Sequence, residues 1–149
     1  MRMPLTTNEK GSRTEGAVLS ALLHSGYNVL LPFGVARYDL VIETGGEFKR
    51  VQCKTGRVRR GTALEFNVCS SPPGAPRRNY DGEVEFFAVY APELNEVYLI
   101  PAEDVAGLKR EASLRLGPTK SGQAKGTREA RQYLLDPRAG SSVDRAPGS

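Results

Sequence analysis

Residues 37–55, RYDLVIETGGEFKRVQCKT, constrain the fold more than any other part of the chain. Two alternating apolar runs flank Gly45-Gly46, a pair able to take the positive φ angles that a two-residue hairpin turn demands. With those glycines as the turn, Thr44 faces Glu47, Leu40 faces Val51 and Asp39 faces Gln52. Side chains alternate across a sheet. Leu40, Ile42, Val51 and Cys53 therefore share one face, while Asp39, Val41, Gln52 and Lys54 share the other. Opposite Cβ atoms in such a pair lie about 5 Å apart. An acid and an amide are thus placed side by side, with the Lys54 amine on the diagonal from Asp39. A register slip of one residue would scatter them. Val41 marks their face as at least half buried, where unpaired charge is costly, so a shared ligand accounts for the group.

The surrounding pattern supplies a frame. Residues 8–25 read as a helix capped by Thr7 or Asn8 and stopped at Gly26. Val18, Leu19, Leu22 and Leu23 form its apolar stripe, and one turn earlier Glu15 falls on the same face. YNVLLPFG reads as a short strand ended by Pro32 and Gly34. Downstream, TALEFNVCS is a further strand and SPPGAPRRNYDG a mobile Pro/Gly-rich loop. EVEFFAVYAPELNEVYLIPAED gives two strands joined by a turn at Pro92–Asn95. A short helix is expected from Pro101, a strand at ASLRL, a flexible basic stretch at GPTKSGQAKG and a short terminal helix at TREARQYLL.

A length of 149 residues suits one domain with a real core. The reading assigns 1–8 to an N-terminal extension, 9–135 to the domain and 136–149 to a disordered C-terminal tail without core residues. No apolar stretch approaches the roughly 20 residues of a membrane helix. No secretory signal is evident, so a cytoplasmic location without a membrane partner is expected. Cys53 and Cys69 lack metal-site spacing and read as small buried thiols. The net charge of +4 is compatible with a polyanionic partner, and its distribution is more telling. Arg57, Arg59 and Arg60 directly follow the Lys54 strand and are the leading phosphate contacts, with Arg77 and Arg78 next.

Phosphodiester cleavage requires a nucleophilic water, compensation of charge building on the phosphoryl oxygens, and a stabilised leaving oxygen; Mg²⁺ can serve all three. Magnesium prefers hard oxygen ligands, with Mn²⁺ a possible substitute. Asp39 offers such an oxygen, and so does the backbone carbonyl of Cys53, set between the Gln52 and Lys54 side chains. The Gln52 amide oxygen can face a metal or its water, though without Coulombic attraction. Lys54 can orient or deprotonate the attacking water.

Glu15 on a first helix, Arg37-Tyr38-Asp39-Leu40, a hairpin and then Gln52-Cys53-Lys54 resemble the PD-(D/E)XK nuclease superfamily. Within it the chain is similar to the small endonucleases associated with group I introns, which carry glutamine where most members carry Glu or Asp. GSRTEG, PFG before RYDL, and YDGEVEFFAVYAPELNEVYLIP are further matching pieces, so the likeness runs from Lys10 to Leu135. It implies a single α/β (α+β) domain of restriction-endonuclease type, with a mixed β-sheet core flanked by helices. It also implies magnesium-dependent cleavage of double-stranded DNA by a homing-type homo-oligomer, dimer or tetramer. By carry-over, Asp39, Gln52 and Lys54 match the catalytic motif and Glu15 the helix acid. Two other readings stay open: a nuclease that resolves DNA junctions, and a non-catalytic nucleic-acid-binding module of the same fold.

Overall fold

The computed structural model describes residues 3–117 and 128–135. The proposed tail at 136–149 and most of the basic GPTKSGQAKG stretch lie outside these residues.

The chain opens with α1 (Thr7–His24). Thr6, one residue ahead of the expected caps, is the N-cap. Its hydroxyl accepts from the Glu9 N–H, and Glu9 Oε2 accepts from the Thr6 N–H at 2.7 Å, a reciprocal capping box. The helix ends as anticipated before Gly26, whose φ of 94° suits the stop. Its buried line is Thr14, Val18 and Leu22. Leu23, read as part of the stripe, is 53% exposed, because the core-facing line advances by four residues and leaves it on the flank.

Three strands follow: β1 (Asn28–Leu30), β2 (Leu40–Thr44) and β3 (Glu47–Thr55). The β2–β3 turn uses Gly45 and Gly46 at φ 61° and 78°. Leu40 pairs with Val51 and Thr44 with Glu47, as the glycine turn predicts. The anticipated TALEFNVCS strand is interrupted. After the short β4 (Arg57–Arg59) come β5 (Ala63–Asn67) and β6 (Cys69–Ser70), separated where the Val68 N–H bonds to the Arg110 carbonyl. Within the Pro/Gly-rich loop, β7 (Arg78–Asn79) pairs antiparallel with β6. The FFAVY and VYLIP segments form β8 (Phe86–Ala91) and β9 (Glu96–Pro101). The short helix expected from Pro101 is a 3₁₀ helix, Ala102–Val105, with Pro101 at its N-cap. After β10 (Glu111–Arg115), TREARQYLL gives β11 (Arg128–Glu129) and then a 3₁₀ helix, Ala130–Tyr133, shorter than the terminal helix expected there. Parallel pairing of β11 with β10 draws its first residues into extended backbone.

The result is one mixed α+β domain. A five-stranded sheet, β1-β2-β3-β8-β9, carries a parallel β3–β8 pair at its centre. A four-stranded sheet has the order β11-β10-β5-β4. Strand alternation splits the core in two. Leu40, Ile42, Val51 and Cys53 pack with Val18 and Leu22 beneath α1. Phe87, Val89 and Ile100, on the opposite face of the same sheet, pack with Leu64, Phe66 and Leu114 of the second sheet. In the parallel register Gln52 neighbours Phe87 and Lys54 neighbours Val89, so the polar side chains of β3 stand at the border of this second core.

Candidate active site

Asp39 directly precedes β2, and its own N–H reaches the carbonyl of Val51, the residue that pairs with Leu40, at 2.9 Å. Its side chain is half buried. Oδ2 accepts two hydrogen bonds at 2.9 Å, from Gln52 Nε2 and from the Cys53 N–H. The Gln52 amide also contacts the Cys53 carbonyl at 3.4 Å. Asp39, Gln52 and the Cys53 backbone are therefore one cluster, while the Cys53 thiol faces the core under α1. Burial drives that thiol's pKa up, with the Asp39 and Glu15 charges adding to the effect.

Lys54 is half buried beside them. Its Nζ donates to the Cys69 carbonyl at 3.1 Å and to the Tyr80 hydroxyl at 3.2 Å. Arg37 lies 4.3 Å from the Tyr80 ring centroid and Lys54 Nζ 4.8 Å, so two cations share one aromatic ring. Burial lowers the Lys54 pKa below its ordinary value; Cys69 and the Asp39 charge oppose this, and Arg37 adds to it. For Asp39 burial acts in the other direction and raises the pKa, against the Cys53 N–H and Lys54. Both groups are thus pushed toward their neutral forms, the condition in which a counter-charge or ligand is most effective.

Glu15 stands apart from this hydrogen-bonded cluster. It is exposed, one residue along α1 from the buried Thr14. Its pKa is raised by burial first and by the Asp39 charge second, which puts it at the rim within electrostatic reach of Asp39. Thr14 makes the tie that sequence reasoning missed: its hydroxyl meets that of Thr55 at 2.6 Å, docking α1 onto β3 one residue beyond Lys54. Tyr80 and Arg37 were also missed as supports. Arg37 had a signal, since it lies two residues before Asp39 and shares its alternation; Tyr80, across a loop, had none.

The donor chemistry suits a hard divalent cation. Asp39 and Glu15 are carboxylates close enough for the Asp39 charge to oppose ionisation of Glu15, and the Cys53 carbonyl lies 3.4 Å from the Gln52 amide that also bonds Asp39. No group of three or more His, Cys, Asp or Glu side chains suited to a metal occurs among the described residues. Any ion here would draw on backbone oxygen and water, as magnesium usually does.

The family model for the PD-(D/E)XK endonuclease matches residues 5–136. The chain belongs to the PD-(D/E)XK endonuclease family. It is also similar to the solved structure of a bacterial homing endonuclease, I-Ssp6803I, at 24% identity and a TM-score of 0.67, covering 87% of this chain and 89% of that one. That likeness shows a shared fold. No curated protein matches the chain.

In this PD-(D/E)XK endonuclease the arginines read as phosphate contacts are distributed unevenly. Arg57 pairs with Glu111 and Arg59 with Glu65, tying the edge strand β4 to β10 and β5 of its own sheet. Arg60 sits in the following turn at φ 51°. Arg78 pairs with Glu83 at 3.1 Å, and Arg77 beside it is exposed. No described helix is long and apolar enough to cross a membrane.

Proposed function

We propose that this nuclease is a divalent-metal-dependent endonuclease that hydrolyses phosphodiester bonds in double-stranded DNA, of homing type and acting as a homo-oligomer. The observation that carries the reading is the clustering of Asp39, Gln52, the Cys53 backbone and Lys54 on one side of a hairpin in a PD-(D/E)XK chain. Likeness in fold to a bacterial homing endonuclease supports the homing style.

Asp39 and the Cys53 carbonyl are the proposed metal ligands, with Gln52 aligning Asp39 and Glu15 adding negative charge at the rim. Bound Mg²⁺, or Mn²⁺ in its place, supplies Lewis-acid neutralisation of the phosphoryl charge. Lys54 does the proton work. Its ammonium has three N–H groups, of which Cys69 and Tyr80 take two, leaving one for a water or phosphoryl oxygen. Burial favours the neutral amine, which can take a proton at Nζ as the water oxygen attacks phosphorus. Arg57, Arg59, Arg60, Arg77 and Arg78 are proposed to hold flanking phosphates. For Arg57, Arg59 and Arg78 this exchanges a carboxylate partner for a phosphate.

Incubation of supercoiled plasmid with the chain tests the reading. Mg²⁺-dependent nicking or linearisation is expected, abolished in Asp39→Ala and Lys54→Ala while both keep wild-type circular dichroism. Full activity in either variant would overturn the site assignment. Salt-sensitive DNA binding without cleavage in Mg²⁺ or Mn²⁺ would identify a binding module instead.

A further inference from the structure

Among the described residues, the most exposed large apolar side chains are Phe33 and Val35, with Leu31 close by in sequence. Leu31, Phe33 and Val35 are all exposed in the connection between β1 and β2, with Phe33 at 108% and Val35 at 106%, as open as in an isolated peptide. Such side chains gain nothing from the core, and a contiguous exposed group of them marks an interaction surface. The connection leaves the sheet after Leu30 and returns at Asp39, six residues beyond Phe33. It turns at Gly34, φ 99°.

Its base is firmly held. The Arg37 guanidinium donates to Glu83 at 3.0 Å, to the Ser70 hydroxyl at 3.1 Å and to the Asn79 carbonyl at 2.7 Å. Glu83 holds Arg78 as well, which brings the exposed Arg77–Arg78 pair alongside. An apolar tip, a cationic flank and a position next to Asp39 occur together.

We propose that Phe33 and Val35 form an apolar wedge that presses against the bases of duplex DNA beside the phosphate to be cut, with Arg77 and Arg78 on the adjoining backbone. The inference rests on the nuclease function proposed above. Phenylalanine is among the residues that proteins insert at base steps, partly unstacking them. A positive flank favours a polyanion over a second copy of this basic chain.

The test compares wild type, the double variant Phe33→Ala/Val35→Ala, and Phe33→Leu on a mixed-sequence duplex, with Ca²⁺ in place of Mg²⁺. The double variant is expected to bind about tenfold more weakly. The slope of affinity against salt should not change, because no phosphate contact is removed. Phe33→Leu should bind close to wild type, and all three should have the same mass in solution. Equal affinity of the double variant, or a changed salt slope, would overturn the wedge alone. A change in solution mass would assign the patch to contact between copies and overturn it equally. A wild type that binds no duplex would overturn both this inference and the function beneath it.

Discussion

Gln52 Nε2 donates to Asp39 Oδ2 at 2.9 Å, so the neutral residue of the motif is bonded directly to its acid. A glutamate at that position would have no proton to donate at neutral pH and would set two carboxylates side by side. The amide therefore lets the half-buried Asp39 stay in place without a cation, at the expense of a charged ligand.

Gln52→Glu is expected to exchange apo stability for metal affinity. Without metal, its melting temperature should fall, reflecting a lost hydrogen bond of about 1–2 kcal/mol plus carboxylate repulsion. Added Mg²⁺ or Mn²⁺ should raise the melting temperature of Gln52→Glu more than that of wild type, because ligand binding to the folded state stabilises it. Calorimetric titration would check the affinity directly. An equal metal response in the two proteins would show that position 52 is remote from the ion.

Lys54→Met should separate stability from activity. Methionine keeps the length of the side chain and removes a cation whose pKa is lowered chiefly by burial. The cost is the loss of a donor to Cys69 and Tyr80. These effects oppose each other, so chemical denaturation should report a stability within about 1–2 kcal/mol of wild type. Plasmid cleavage should nevertheless fall by about a hundredfold or more, the loss typical of removing a group that acts on the transition state.

Two carboxylates should give opposite acid dependences of stability. Glu85 accepts from the Arg50 N–H at 2.6 Å and from its guanidinium, which hold its pKa below the ordinary 4.5. Its contribution is present above 4.5 and is lost as pH falls through the lower folded value. Asp39 is raised above 3.8, so the folded state binds its proton more readily and Asp39 favours folding more at acid pH than at neutral. Denaturation curves between neutral and acid pH should show Glu85→Gln losing less stability than wild type on acidification and Asp39→Asn losing more. The reverse ordering would contradict both assignments.

Gly56 should not tolerate a side chain. A Cβ there would lie 2.7 Å from Leu64 Cδ1 and 2.8 Å from Val89 Cγ1, where the chain passes from β3 into β4 of the second sheet. Gly56→Ala is expected to cost about 1–3 kcal/mol through overpacking, measurable by urea denaturation. A loss this close to Lys54 should also reduce cleavage. Substituting the exposed Gly61 by Asn, at a φ of 69° that asparagine tolerates, should do neither.

The hairpin and the face shared by Asp39, Gln52 and Lys54 were legible in the sequence because their causes are local. Two glycines set the turn, strict alternation sets the faces, and both act within nineteen residues, 37–55. The same locality made the β8–β9 pair readable from its two apolar runs. Local pattern failed for Leu23, since two adjacent lines of leucine fit the helical period and only the sheet beneath α1 selects between them. It failed too at Arg128–Glu129, where pairing with β10 overrides the start of a helical pattern. The sequence by itself determined which residues meet across the hairpin. The tertiary structure alone decided what receives them: Tyr80, 26 residues from Lys54, and Thr14, 41 residues from Thr55. Such partners are chosen by the packing of distant elements, and no period in the chain encodes that packing.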